Sequence, residues 1–208
     1  MTVNTSLPKV LFVGLGMMGR PMATLIAQAG YPLLVSDTDK NTVMEVCHLT
    51  GAPPLSSADD LSSVDIVITN FANFDKLNQV LLGAPGLAER LSESTCIIDM
   101  SNSDPLNTKS LAKELETRAL NFLDIAVSWH TQKEASGKLA IVIGGDANIV
   151  QKYIALFAAL GTFNHVGSVG AGHSVRALNN YVSSVCTSTD HIESEQLSLR
   201  TVFGCGGF

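Results

Sequence analysis

The stretch "KVLFVGLGMMGRPM", residues 9–22, decides the fold because it joins a buried strand to a helix through three glycines. Residues 9–14 form an apolar run that ends at a glycine, which is typical of a strand covered on both faces. Gly14, Gly16 and Gly19 follow the spacing GxGxxG. This pattern predicts a turn whose backbone approaches a diphosphate at the N-terminus of a helix.

Each glycine has a distinct expected role in that turn. Gly14 permits the tight turn, Gly16 lets the backbone approach the diphosphate, and Gly19 lets the helix pack closely on the strand. We expect the residues between them, Leu15, Met17 and Met18, to lie along the cofactor as well.

Asp37 ends the next apolar run, roughly 20 residues after Gly14, where an acidic residue accepts hydrogen bonds from the adenosine ribose. Because a carboxylate repels a 2′-phosphate, Asp37 favours NAD over NADP, although Lys40 lies nearby in the sequence. The alternative interpretation is a glycine-rich packing turn in which Asp37 only caps a helix.

Strands and helices alternate along the rest of the chain. Apolar runs predict strands at 9–14, 31–37, 65–71, 95–101, 120–127, 139–145 and 161–167, with helices at 73–82, 106–118 and 148–160 among those between them. This order predicts an α/β fold of the Rossmann-like, doubly wound type, with a mainly parallel sheet, over residues 1–168. From His173 the chain has no proline, and no glycine before Gly204, so we expect residues 169–208 to form one long C-terminal helix of about 30 residues.

Composition excludes several classes of function. The chain has 208 residues, 46% of them hydrophobic, and a net charge of −6 without a cluster of Lys or Arg, which argues against nucleic acid as a partner. No apolar run reaches the ~20 residues that cross a bilayer, and no signal pattern is present, so we expect a cytoplasmic protein without membrane contact. The four cysteines are scattered, and "HIESE" lacks HExxH spacing, so we expect free thiols and no metal site.

Four motifs in order, "FVGLGMMGRPMA", "IIDMSNSDP", "GKLAIVIGG" and "VGAGHSVRALNNYV", resemble the β-hydroxyacid dehydrogenases, which include 3-hydroxyisobutyrate and 6-phosphogluconate dehydrogenases. The resemblance spans roughly residues 9–204. It implies an NAD(P)-dependent oxidoreductase that transfers hydride between nicotinamide and a small alcohol or carbonyl substrate. In that family an all-helical C-terminal domain completes the active site and the dimer. We expect this chain to lack most of that domain and to form a homodimer through its C-terminal helix.

The resemblance also implies site residues. Asn180 matches an asparagine that holds the substrate, and Arg176 stands where the family has a lysine that manages the hydroxyl proton. Ser101, and Ser128 with Trp129 and His130, fall in the substrate region, whereas Asn70, Phe71 and Asn102 fall along the cofactor. The family has threonine at position 102 and glycines at positions 129 and 130.

Arginine does not replace lysine as an acid–base group, because the guanidinium stays protonated. Arg176 could instead bind a carboxylate or stabilise a developing alkoxide, and the proton would then need another carrier, such as His173 or His130. His173 could equally be a hydrogen-bonded residue at a helix start. Asn179 could replace Asn180 as the inward residue, and Ser101 could simply cap the next helix.

The departures from the family leave two other functions open. Trp129 and His130 in place of two glycines indicate either a different substrate or a protein that has lost its catalytic activity. A non-catalytic or truncated NAD(P)-binding protein is therefore one alternative. An imine reductase is the other, because imine reductases resemble this family and also lack its lysine.

Overall fold

The computed structural model describes residues 7–56, 61–129 and 139–188, which form one sheet with helices around it. The strands are β1 (Val10–Val13), β2 (Leu33–Ser36), β3 (Ile66–Thr69), β4 (Cys96–Asp99), β5 (Asn121–Trp129), β6 (Leu139–Gly144) and β7 (Gly161–Gly167). The helices are α1 (Gly19–Gln28), α2 (Lys40–Thr50), α3 (Phe74–Leu82), α4 (Pro105–Glu116), α5 (Ala147–Lys152), α6 (Ile154–Leu160) and α7 (Ala171–Ser188). All seven predicted strands are present, mostly shorter by one to three residues.

The strands form a 7-stranded sheet in the order β2-β1-β3-β4-β5-β6-β7. Every neighbouring pair is parallel except β5 and β6, which are antiparallel. The chain crosses from β2 over β1 to reach β3, and a parallel sheet binds ligands where the strand order reverses in this way. The prediction of a doubly wound, mainly parallel sheet is confirmed.

Successive side chains of β1 enter two separate hydrophobic layers, because neighbouring residues of a strand point to opposite faces. Val10 and Phe12 pack with residues of α1, α2, α5 and α6 in one layer. Leu11 and Val13 pack with residues of α3 and α4 in the other. Burial on both faces explains why the strand is apolar throughout rather than alternating.

The predicted helix 148–160 is two helices in the structure, α5 and α6, with Tyr153 between them. The sequence has neither proline nor glycine at the break, so its local pattern does not reveal it. Tyr153 is 5% exposed and belongs to the core layer of α1. The break thus accompanies the burial of a large side chain, a tertiary effect that local propensity does not register.

The helix α7 begins against the sheet rather than beyond it. The buried carboxylate of Asp124, in β5, accepts hydrogen bonds from the backbone N–H groups of Gly170 (2.7 Å) and His173 (2.8 Å). A Cβ at Gly172 would lie 2.4 Å from the Asp124 carbonyl oxygen, so only glycine permits this approach. The predicted helix of about 30 residues is observed as far as Ser188. Its continuation, residues 189–208, lies outside the described residues.

No helix within residues 7–56, 61–129 and 139–188 is long and apolar enough to span a bilayer.

Candidate functional site

The glycine turn between β1 and α1 places its three glycines in different surroundings. Gly14 has a φ of +96°, and a Cβ there would lie 2.2 Å from the carbonyl oxygen of Asn70. A Cβ at Gly19 would lie 2.0 Å from the carbonyl oxygen of Gly14. At Gly16 a Cβ would meet nothing within 4 Å. Gly14 and Gly19 therefore serve packing, whereas Gly16 faces open space.

That open space is a cavity of about 430 Å³, called the first cavity below. It lies at the carboxyl ends of β1, β3 and β4, beside β5 and α7. Its wall contains nine of the predicted site residues: Gly16, Met17, Met18, Asn70, Phe71, Asn102, Ser128, Arg176 and Asn180. Three further lining residues, Ala72, Met100 and Val127, were not predicted, although each is adjacent in sequence to a predicted one.

A second cavity of about 290 Å³ adjoins the first, since Phe71 lines both. Asp37 and Thr38, at the end of β2, form part of its wall together with Lys76 of α3. The lysine that lines this cavity is Lys76, not Lys40, which lies near Asp37 in the sequence. Two cavities that share Phe71 as a lining residue suit an elongated ligand.

The Asp37 carboxylate also holds the glycine turn. One oxygen accepts a hydrogen bond from the backbone N–H of Leu15 (2.6 Å), and the other accepts one from the backbone N–H of Asp39 (2.9 Å). Leu15 is fully buried and lines neither cavity. Leu15 therefore stabilises the glycine turn through its N–H bond to Asp37 and its buried side chain.

Ser101 lies beneath the first cavity rather than on its wall. It is fully buried, and its hydroxyl accepts a hydrogen bond from the backbone N–H of Phe71 (2.9 Å). The alternative that Ser101 caps the next helix is wrong, because Asp104 caps α4 by accepting from the N–H groups of Leu106 and Asn107. Ser101 instead joins the turns after β3 and β4. Its predicted contact with substrate stays a prediction.

The helix α7 runs beside β5 and brings three positions to the sheet in order. Its start meets Asp124, Arg176 bonds to Ile125, and Asn180 lines the first cavity with Ser128. Seven residues of helix rise about 10 Å, close to the length of three to four residues of strand. This match explains how both elements reach the same cavity. Asn180, not the half-buried Asn179, is on the wall.

Arg176 is 9% exposed, and its guanidinium donates to main-chain carbonyl groups. Nη1 bonds to the carbonyl oxygen of Ser101 (2.5 Å), and Nη2 bonds to that of Ile125 (2.9 Å). Burial lowers the pKa of Arg176, an effect that the Asp99 and Asp124 carboxylates oppose. An arginine side chain nevertheless stays protonated in proteins. Its predicted contact with a substrate anion stays a prediction.

His173 is fully buried and does not line either cavity. Its Nδ1 shares a hydrogen bond with the Thr108 hydroxyl of α4 (2.8 Å). Burial, reinforced by the nearby Arg176 charge, lowers the pKa of His173 to about 3, so the ring is neutral at physiological pH. These facts support the hydrogen-bonded alternative and speak against His173 as the proton carrier.

Two buried carboxylates underlie the first cavity. Asp99, at the end of β4, accepts from the Thr69 hydroxyl (2.9 Å) and the Ser101 N–H (2.9 Å). Burial raises the pKa of Asp99 and that of Asp124, and their hydrogen bonds act in the opposite direction. Both carboxylates thus hold the main chain of the site in place.

The remaining predicted residues lie at or beyond the edge of the described structure. Trp129 is the last residue of β5, and its side chain, like the whole of His130, lies outside the described part of the structure. Within the described ranges no group of three His, Cys, Asp or Glu side chains is arranged to hold a metal ion.

The glycine turn, the acidic residue after β2 and the two adjoining cavities define a dinucleotide-binding α/β domain. Comparison with known families agrees. A model of the NAD binding domain of 6-phosphogluconate dehydrogenase matches residues 9–178, and the chain belongs to this family.

Three relatives have about the same similarity. The 3-sulfolactaldehyde reductase of Escherichia coli is 31% identical over 175 residues, which cover 84% of this chain and 59% of that protein. The NAD-dependent L-serine dehydrogenase of Pseudomonas aeruginosa is 31% identical over 178 residues, with coverage of 85% and 60%. Rat mitochondrial 3-hydroxyisobutyrate dehydrogenase is 31% identical, with coverage of 84% and 52%. The chain thus spans between 52% and 60% of the length of these relatives.

Solved structures share the fold. A 3-hydroxyisobutyrate dehydrogenase from Salmonella typhimurium superposes with a TM-score of 0.76 at 21% identity, covering 87% of this chain and 64% of that one. An imine reductase from Myxococcus stipitatus in complex with NADP+ gives a TM-score of 0.75 at 21% identity, covering 88% and 63%.

The residues present fit a nicotinamide dinucleotide. Gly16 leaves open space where a side chain would stand, and neither a capping side chain nor an acidic residue occupies the first turn of α1. The N-terminus of that helix therefore offers its N–H groups and the positive end of its dipole to a diphosphate. Asp37 lines the adjoining cavity, where a ribose would be within reach of its carboxylate.

Proposed function

We propose that the protein is an NAD(P)-dependent oxidoreductase that moves hydride between the nicotinamide and an alcohol or carbonyl substrate, with NAD preferred. The observation that carries the proposal is the first cavity, because the glycine turn meets Ser128 and Asn180 there. The enzymatic names of the relatives support this reaction, and one of them is named as NAD-dependent.

When bound, the nicotinamide accepts or supplies the hydride. The backbone around Gly16 holds the diphosphate, and Asp37 accepts hydrogen bonds from the ribose hydroxyls. Ser128, by its hydroxyl, and Asn180, by its amide, orient the substrate oxygen through hydrogen bonds. Asn70, whose side chain donates to the Met100 carbonyl oxygen (3.0 Å), keeps the opposite wall in place.

A second candidate function is imine reduction. Among the described residues that line the first cavity, Arg176 is the one ionisable group, and it does not exchange protons near neutrality. A protonated imine already carries the proton that a carbonyl would have to acquire during reduction. The composition of the cavity wall therefore suits an imine as well as a carbonyl compound.

Titration with NADH and NADPH, followed by a substrate panel, tests the proposal. The panel holds 3-hydroxyisobutyrate, L-serine, 3-sulfolactaldehyde and a cyclic imine. We expect tighter binding of NADH than of NADPH, and turnover of one of the hydroxy or aldehyde compounds. Turnover of the imine alone selects the second candidate. NADH binding without any turnover favours a non-catalytic dinucleotide-binding protein, and binding of neither cofactor contradicts the proposal.

We also propose a cytoplasmic homodimer that associates through α7. Leu178, Tyr181 and Val185 are 58%, 68% and 43% exposed and recur at helical spacing on one side of this helix. An apolar stripe of this kind is typical of a contact with another chain. The free Cys47 and Cys96 fit a reducing compartment.

A further inference from the structure

The strands β4 and β5 stop pairing with each other close to the first cavity. Their last paired residues are Asp99 and Asp124. Beyond that pair, β5 continues with β6 as its partner, whereas the chain after β4 turns away into the segment 100–102. Both continuations contribute to the wall of the first cavity, the one after β4 through Asn102 and the one in β5 through Ser128.

Arg176 bridges the two continuations where the ladder of backbone hydrogen bonds stops. Nη1 bonds to the Ser101 carbonyl oxygen on one side, and Nη2 bonds to the Ile125 carbonyl oxygen on the other. Both nitrogens also approach the Met100 carbonyl oxygen, at 3.5 and 3.4 Å. The guanidinium thus takes the place that backbone N–H groups occupy further down the two strands.

Only arginine has the geometry for this bridge. Its two terminal nitrogens lie in one rigid plane and point to different acceptors, whereas lysine has a single nitrogen on a flexible stem. Arg176 is 9% exposed, so water competes little for the carbonyl groups that it contacts. Truncation of Arg176 would remove this donor from the carbonyl oxygens of Ser101 and Ile125, whereas the Met100 oxygen would keep its bond to the Asn70 side chain.

We propose that Arg176 is a positioning residue, which ties the carboxyl end of β4 to β5 and thereby sets the distance between these two parts of the wall of the first cavity. It acts on the ligand through Asn102 and Ser128, and it neither carries the proton nor holds the substrate itself. This inference rests on the proposed function for the choice of NADH as the probe.

The test compares three variants: Arg176→Lys, Arg176→Ala and, as a matched control, Arg118→Lys. Arg118 lies two residues beyond the end of α4 and lines neither cavity. NADH affinity, the emission maximum of bound NADH and the denaturation midpoint are measured for each. We expect Arg176→Lys to weaken NADH binding by roughly tenfold, equivalent to about one charge-assisted hydrogen bond, and to shift the emission. Arg118→Lys should bind NADH as the parent protein does.

Chemical rescue separates geometry from charge. Methylguanidinium added to Arg176→Ala should restore NADH binding and its emission maximum, because a planar fork can reoccupy the gap. Methylammonium at the same concentration should not. Equal rescue by both cations overturns the proposal, and so does an Arg176→Lys variant that matches the parent protein.

The proposed role of Arg176 can still be tested if Arg176→Ala does not fold or if the parent protein does not bind NADH. If Arg176→Ala does not fold, the comparison of Arg176→Lys with Arg118→Lys decides alone. If the parent protein binds no NADH, the proposed function fails, and the bridge is then judged by denaturation. An Arg176→Lys midpoint no lower than that of Arg118→Lys overturns it.

Discussion

Single residues divide the work at the glycine turn between packing and binding. Gly14 has no room for a methyl group and has a positive φ, whereas Gly16 has open space around its Cα. The same substitution, glycine to alanine, should therefore act on stability at Gly14 and on cofactor binding at Gly16.

We expect Gly14→Ala to lower the free energy of unfolding by roughly 1–3 kcal/mol, because strain in the left-handed region adds to a clash with Asn70. Gly16→Ala should change it by less than about 0.5 kcal/mol, as a surface substitution does, yet weaken NADH binding by crowding the diphosphate. Urea denaturation and NADH titration of both variants measure the two effects. Equal losses of stability would contradict this division.

Asp37 is expected to act on both the turn and the cofactor. Asp37→Ala leaves the N–H of the buried Leu15 without its acceptor and should cost roughly 1–3 kcal/mol, the range for an unsatisfied buried donor. It should also weaken NADH binding without creating affinity for NADPH, since the loosened turn serves both cofactors. Asp39→Ala is the control, because Asp39 caps α2 and lines neither cavity. Asp39→Ala should lower the denaturation midpoint through the loss of this helix cap and leave the NADH affinity unchanged.

The spacing of the glycines predicted Gly16 as a site residue, and the resemblance to the dehydrogenase family predicted Asn70 and Asn180. All three line the first cavity. The sequence does not predict contacts between residues that are far apart along the chain. The bond of Leu15 to Asp37, and that of Arg176 to Ser101, depend on how separate segments meet.

At the scale of elements, α7 is held to the rest of the molecule by buried polar groups. Asp124 of β5 accepts from its first N–H groups, and Thr108 of α4 bonds to His173.

Apolar runs predicted the strands well because each is buried on both faces. The break at Tyr153 escaped prediction because it follows from packing, and no helix-breaking residue marks it.

The neutral His173 makes stability depend on pH. In the unfolded chain its pKa is the ordinary 6.5, and in the folded chain it is about 3, so the unfolded state binds more protons between these values. Stability therefore falls as the pH drops through this window, and His173 alone should contribute a loss of roughly 2 kcal/mol between pH 7 and pH 5. The raised pKa values of Asp99 and Asp124 act in the opposite direction.

Because the two aspartates and His173 change stability in opposite directions, the effect of His173 is measured as the difference between the pH profiles of the parent protein and a His173 variant. Urea denaturation of His173→Gln should show a weaker loss on acidification than the parent protein, by about the 2 kcal/mol given above. His48→Gln, at an exposed position of α2, is the matched control for the loss of a histidine. Identical slopes in the parent protein and His173→Gln would show that folding does not lower the pKa of His173.

At the scale of the whole molecule, the exposed stripe of α7 tests the proposed dimer. Leu178 and Leu49 are both 58% exposed, so Leu178→Lys and Leu49→Lys make equal changes to an exposed leucine on different helices. We expect Leu178→Lys to shift the sedimentation coefficient from dimer to monomer, because burying a lysine charge in an apolar contact is unfavourable. Leu49→Lys should leave the dimer intact. A parent protein that sediments as a monomer would remove the basis for the proposal.

The strand order has a consequence for the emergence of the chain from the ribosome. Apart from the exchange of β1 and β2, each new strand adds to the same edge of the sheet in the order of synthesis, so the sheet can grow as it is translated. The wall of the first cavity is incomplete until Asn180 has been synthesised. The Asp124 carboxylate likewise lacks one of its hydrogen-bond donors until His173 has been synthesised. We expect nascent chains stalled before residue 168 to be readily cleaved by protease, and those that include α7 to resist.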